Sequence, residues 1–236
     1  MNTPFSGAFS AAINAENALG FVAVIPDIKC ISPKHGDLLR GRNPVEMAQD
    51  FIRCGAPILS VVTEREHFGG SPELLSAITN TISVPVLRKD FITNEDMLTE
   101  TVSLGAKAIL LICAIIDTVT MKTLYDKAIK LGLEPLVEVR NKQEMEFANT
   151  LGAQLIGINN REITTFECDN GSPDKTVALA SNAHSNALLI SESGVLSAED
   201  AKLASSAGAN AILVGTALWQ AKDTRVAYNS LRVERN

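Results

Sequence analysis

Four segments share one short pattern: "CGAPILSVV" at 54–62, "LGAKAILLI" at 104–112, "LGAQLIGIN" at 151–159 and "AGANAILVG" at 207–215. Each reads Gly-Ala, two variable residues, then an apolar run. Each follows a stretch with helical spacing. A glycine just past a helix takes the left-handed conformation that ends it. The apolar run that follows reads as a strand covered on both faces, as in a parallel sheet. Further apolar runs lie between the copies: "VPVLRKD" at 84–90, "LEPLVEV" at 133–139 and "ALLISES" at 187–193. With "FVAVI" at 21–25 they make eight candidate strands. The helical patterns between and after them cover 43–54, 71–80, 94–104, 117–131, 141–151, 173–184, 197–207 and 217–232. Asn43 before Pro44, Asn94 and Ser197 suit helix N-caps.

Eight alternating strand–helix units of about 27 residues predict a single (β/α)8 barrel domain over residues 1–236, with 1–20 as a short N-terminal extension. A doubly wound sheet is the competing architecture, but no G-x-G-x-x-G follows the first strand.

Composition narrows the function classes. The chain has 236 residues, 46% of them hydrophobic, enough for a full core. Its net charge of −6 comes without a basic block, so nucleic acid is not an expected partner. No apolar run reaches the roughly 18 residues of a membrane span, and the N-terminus lacks a signal-peptide pattern. Cys30, Cys54, Cys113 and Cys168 are far apart, with no C-x-x-C, as expected of reduced thiols. These features predict a cytoplasmic protein, a monomer or weak homo-oligomer. His35, His67 and His184 show no ligand spacing, and no metal is expected. Trp219 reads as a core residue.

In such a barrel, chemistry sits at the C-terminal ends of the strands. Polar residues gather there: Asp27 and Lys29 after the first run, Ser60 and Thr63 after the second, and Arg88, Lys89 and Asp90 after the third. Glu138 and Arg140 end the fifth, Asn159, Asn160 and Arg161 the sixth, and Ser191, Glu192, Ser193 and Gly194 the seventh. Strand alternation lets only one member of each adjacent pair point inward. The mouth should therefore hold lysines and carboxylates together, an arrangement that shifts proton affinities and suits acid–base catalysis. "SESGV" at 191–195 and "LVGTAL" at 213–218 supply glycine turns after the last two strands, where barrels often bind phosphate. Pro26 has no amide proton to donate, so a bulge or an early end to pairing is expected there.

"VPVLRKDFIT" (84–93), "LVEVRNKQE" (136–144), "IGINNREITTFECD" (156–169), "ISESGV" (190–195) and "LSVVTEREHFGGSPELL" (59–75) resemble, in order, motifs of the indole-3-glycerol-phosphate synthase family. The resemblance implies a barrel enzyme of tryptophan biosynthesis. Such an enzyme closes the indole ring of 1-(2-carboxyphenylamino)-1-deoxyribulose 5-phosphate with loss of CO2 and water, and needs no cofactor. By motif, Lys89 would be the general acid and Glu138 a proton relay. Lys29 would hold the substrate carboxylate, and Asn159 and Glu192 would orient the substrate. Ser32, Gly194, Gly215 and Thr216 would bind phosphate, with Arg161 and Ser193 on the same binding wall. The family's first-strand motif usually has glutamate where this chain has Asp27, whose carboxylate is about one methylene shorter. The family also tends to carry a longer N-terminal extension that helps cover the mouth. The bare residues leave two other readings open: an isomerase or Schiff-base aldolase using Lys89, and a weakly active or non-catalytic phosphate binder.

Overall fold

The computed structural model describes residues 7–161 and 172–235. Eight parallel strands close into a barrel: β1 (Ala23–Ile28), β4 (Leu59–Val62), β5 (Val86–Lys89), β6 (Ala108–Ile112), β7 (Glu134–Val139), β8 (Leu155–Asn159), β9 (Leu188–Glu192) and β10 (Ala211–Val214). They pair in chain order, and β10 returns to β1. A two-stranded hairpin, β2 (Ile31–Ser32) and β3 (Gly36–Asp37), follows β1. The intervening helices are α2 (Pro44–Arg53), α3 (Pro72–Thr79), α4 (Glu95–Ser103), α5 (Thr118–Lys130), α6 (Lys142–Leu151), α7 (Asp174–Leu179) and α8 (Ala198–Ser206).

The glycines of the repeat do what the pattern predicts. Gly55, Gly105, Gly152 and Gly208 all have left-handed φ, between +73° and +110°. The helix starts also follow the sequence. The Asn43 side chain accepts from the amides of Val45 and Glu46, Asn94 from Met97, and Ser197 forms a capping box with Asp200.

Period-two alternation sorts every strand into two faces. Ala23, Ile25, Leu87, Leu110, Leu136, Leu155, Ile190 and Leu213 fill the barrel interior. Val24, Ile28, Val86 and Ile212 pack outward against helices, as do Val137, Val139, Ile156 and Ile158 on the other side. The first inward position past the apolar filling is Asp27 on β1, Lys89 on β5, Glu138 on β7 and Glu192 on β9. The fold therefore gathers these charges at one end by register alone.

Three expectations need correction. Strand β1 does not stop at the proline: it pairs with β10 through Pro26 and with β4 at Asp27 and Ile28. The ladder changes sides at the Pro26–Asp27 step, which accommodates a residue that cannot donate. The expected helix over 217–232 is two, α9 (Thr216–Gln220) and α10 (Thr224–Leu231), because Asp223 caps a fresh start by accepting from Val226 N. The expected helix over 173–184 ends at Leu179 and tightens into a 3-10 turn, Ala180–Asn182.

The N-terminal extension forms α1 (Ala8–Ala18) and sits at the end opposite the mouth. Phe9 and Ile13 join the barrel interior cluster. Glu134, the first residue of β7, accepts from the amides of Phe9 (2.6 Å) and Ser10 (2.9 Å) and so caps the helix. The C-terminal residues clasp the same end: Val22 N donates to Val233 O, and Arg232 pairs with Glu16.

Candidate active site

The pocket at the C-terminal ends of the strands is walled by Asp27, Lys29, Lys89, Glu138, Asn159, Arg161, Ser193, Gly194, Gly215 and Thr216, all named from sequence. Lys89 is its centre. Its Nζ lies 3.9 Å from Asp27 Oδ2 and 3.8 Å from Glu192 Oε2. Its neighbour Arg88 turns outward, 2% exposed, to Thr63, Thr101 and the Met97 carbonyl, and pairs with Asp90 and Glu100. Arg88 thereby ties β5 to α4 just below the lysine.

Asp27 is held from two sides. Ser60 Oγ donates to its Oδ1 at 2.6 Å, and Trp219 Nε1 donates to its backbone carbonyl at 2.8 Å. The shorter acid therefore still reaches the mouth. Trp219 is buried, as expected, and it also links α9 to the end of β1. Lys29, 5% exposed, lies 3.5 Å from Thr216 Oγ1 and over the Phe68 ring. It stands on the same side of the pocket as Gly215 and Thr216.

Glu138 and Glu192 are both buried. Burial pushes the Glu138 carboxyl above its ordinary value, opposed by Lys89 and by a hydrogen bond from Asn159. Burial, and then the nearby Glu138, push Glu192 up to about 8, against the pull of Lys89. Burial thus raises both carboxyls, and Glu192 far enough to hold a proton near neutral pH.

Glu192 fits because of Gly157 on β8. A Cβ there would lie 1.9 Å from Glu192 Oε1. Gly194 is needed for backbone reasons: its φ is +73°, and a Cβ would come within 2.8 Å of the Ser172 carbonyl. Gly215 is different. A Cβ would meet Asp27 at an ordinary 3.4 Å, so its bareness serves the pocket's space rather than the packing.

Ser32 is buried in β2 and stands apart from this wall; its Oγ accepts from His35 N. The motif "IGINNREITTFECD" runs into residues 162–171, and it and Cys168 lie partly or wholly outside the described residues. Cys30, Cys54 and Cys113 are free thiols.

Several wall residues were not expected: Glu64, Phe68, Asp90, Phe91 and Leu196. The sequence places Asp90 only among the strand-end charges. Glu64 and Phe68 lie in the quoted "LSVVTEREHFGG" segment, where only tertiary folding brings the loop over the mouth. Burial raises the Glu64 carboxyl, but hydrogen bonds from His67 and from the amides of Glu66 and Phe68 outweigh it and lower it overall. Glu64, Glu66 and His67 could bring ligand atoms within 4.8 Å of one another, but Glu64 already spends its oxygens on these amides.

The sequence model described as indole-3-glycerol phosphate synthase matches residues 4–231. An indole-3-glycerol phosphate synthase from Carboxydothermus hydrogenoformans is 42% identical over 212 residues, covering 90% of this chain and 80% of its own. Another of that name, from Streptococcus sanguinis, is 38% identical over 212 residues, with 90% and 82% covered. A third, from Pyrococcus furiosus, is 39% identical over 200 residues, with 85% and 87% covered. Barrel, charged mouth and relatives agree: the chain belongs to the indole-3-glycerol phosphate synthase family.

Proposed function

We propose that the mouth closes the indole ring of 1-(2-carboxyphenylamino)-1-deoxyribulose 5-phosphate, releasing CO2 and water. The ring carbon bearing the carboxylate bonds to the substrate's carbonyl carbon. That carbonyl's oxygen takes up protons and leaves as water, and loss of CO2 restores the aromatic ring. Lys89 is the proton donor to the oxygen. Glu138, buried and protonatable, relays the proton released as the new ring becomes aromatic. Lys29 holds the substrate carboxylate until it departs, and Asn159 and Glu192 orient the substrate's hydroxyls. Arg161, Ser193, Gly194, Gly215 and Thr216 form the phosphate end, and the motif assigns Ser32 to it as well. The reaction as proposed uses no cofactor, and the setting is that of a cytoplasmic enzyme acting as a monomer or weak homo-oligomer.

The position of Lys89 carries this reading. Lys89 Nζ stands between Asp27 and Glu192 in the pocket wall, the place from which a general acid would meet the substrate's carbonyl oxygen. Mixing the purified protein with the carboxyphenylamino-deoxyribulose phosphate should give rising indole fluorescence and stoichiometric CO2. No rise at high enzyme concentration, or a borohydride-trapped imine with a carbonyl substrate, would sink it.

A further inference from the structure

We propose that Asn160 is a positioning residue that locks the Ser193–Gly194 turn into the shape that receives phosphate. The inference rests on the phosphate assignment made above. Asn159 and Asn160 are adjacent, so alternation sends one into the mouth and the other out of it. Asn160 takes the outer place and is 7% exposed. Its Oδ1 accepts from Thr176 N at 2.9 Å and Thr176 Oγ1 at 3.1 Å. Its Nδ2 lies 2.9 Å from Glu192 O, 3.0 Å from Ser193 O and 3.0 Å from Ser191 Oγ. Its backbone amide also donates to Glu192 O, at 2.9 Å. These partners fix the amide's orientation. A backbone N–H can only donate and a carbonyl can only accept, so the oxygen must face Thr176 and the nitrogen the two carbonyls.

The carbonyls it holds flank Ser193, whose φ is +62°. That conformation is unfavourable for a residue with a Cβ and persists only where the surroundings impose it. Gly194 follows at +73°. In a planar trans peptide the N–H points opposite to the carbonyl. Fixing Ser193 O toward Asn160 therefore aims the Gly194 N–H away from it, toward the pocket that Ser193 and Gly194 line. A turn of this kind presents amides to an anion. Through Thr176 the same side chain also anchors the start of α7. Asn160 touches no substrate in this arrangement; it acts by holding the residues that do.

The test uses the full chain, titrated with inorganic phosphate by calorimetry and assayed for kcat and KM. Asn160→Ala should weaken phosphate binding and raise KM by about tenfold or more, with kcat within about threefold of wild type. Asn160→Asp keeps the acceptor for Thr176 but cannot donate to the carbonyls, and should act in the same direction if the alanine variant folds poorly. Adding Ser193→Gly to Asn160→Ala relieves the left-handed strain and should restore most of the lost affinity, a recovery that a general loss of stability would not show. Unchanged phosphate affinity in both Asn160 variants, a fall in kcat with KM unchanged, or no recovery in the double variant overturns the proposal. Wild-type protein that binds no phosphate overturns the phosphate assignment as well; wild-type binding matched by the variants overturns this inference alone.

Discussion

Asp27 is held in place on its Ser60 side. Its Oδ1 already sits at 2.6 Å from Ser60 Oγ, and the residue is 3% exposed. One more methylene carries the carboxylate past Ser60 Oγ and breaks or shifts this bond. Overpacking a buried site costs about 1–3 kcal/mol, and shifts near 1 Å cost on the order of 100-fold in catalysis. Asp27→Glu should therefore lower kcat by about tenfold or more, although glutamate is the family's usual residue. An unchanged or higher kcat would show that the site is not built around aspartate. Glu192 makes a prediction about pH. Its carboxyl is raised from the ordinary value to about 8, so between those pH values the folded protein holds a proton that the unfolded chain has released. Stability tied to this group is thus full at low pH and is lost as pH rises toward 8. Urea unfolding from pH 5 to pH 8.5 should show wild type losing stability relative to Glu192→Gln across that window. Parallel curves would contradict the assignment.

At the level of elements, the strands were largely legible because their signals are local. The Gly-Ala repeat marked helix ends, and Asn43, Asn94 and Ser197 marked helix starts, each by a bond spanning a few residues. Period two required one of Arg88 and Lys89, and one of Asn159 and Asn160, to face inward without saying which; the family resemblance favoured Lys89 and Asn159, and the barrel turns Arg88 and Asn160 outward. What stayed hidden depended on distant partners. The α9–α10 break reflects a cap at Asp223 inside an otherwise helical pattern. The continuation of β1 through Pro26 depends on which neighbour each residue pairs with. Gly157 looked like any glycine in a strand until Glu192 occupied the space beside it. Helix α1 is another such case, since its cap, Glu134, lies 125 residues away in sequence from Phe9. Glu134→Ala removes two buried hydrogen bonds to amides at a helix N-terminus, and should cost about 1–3 kcal/mol. Calorimetry should show a melting temperature lower by roughly 2–4 °C per kcal/mol, with kcat near wild type because the change is at the closed end. Unchanged melting would mean that α1 contributes little to the barrel.

Across the whole molecule, one end of the barrel is devoted to stability and the other to chemistry. Helix α1, Glu134 and the C-terminal clasp close the first end. The charged residues at the second end come from β1, β5, β7 and β9, and no single segment of sequence contains the site. The strand-end charges that line the mouth were readable from the ends of the apolar runs, but the loop residues Glu64 and Phe68 and the geometry were not. That Lys29 stands beside Thr216, and that Lys89 is shared by two acids, follows from how the strands are staggered around the closed barrel. The central claim is that Lys89, between Asp27 and Glu192, supplies the proton for ring closure. Single-turnover indole fluorescence with Lys89→Ala, read beside substrate binding by calorimetry, tests it most directly. The account predicts that the indole signal falls by at least about 100-fold while substrate binding stays within severalfold of wild type. Indole formation near the wild-type rate, or equal loss of binding and turnover, would contradict it.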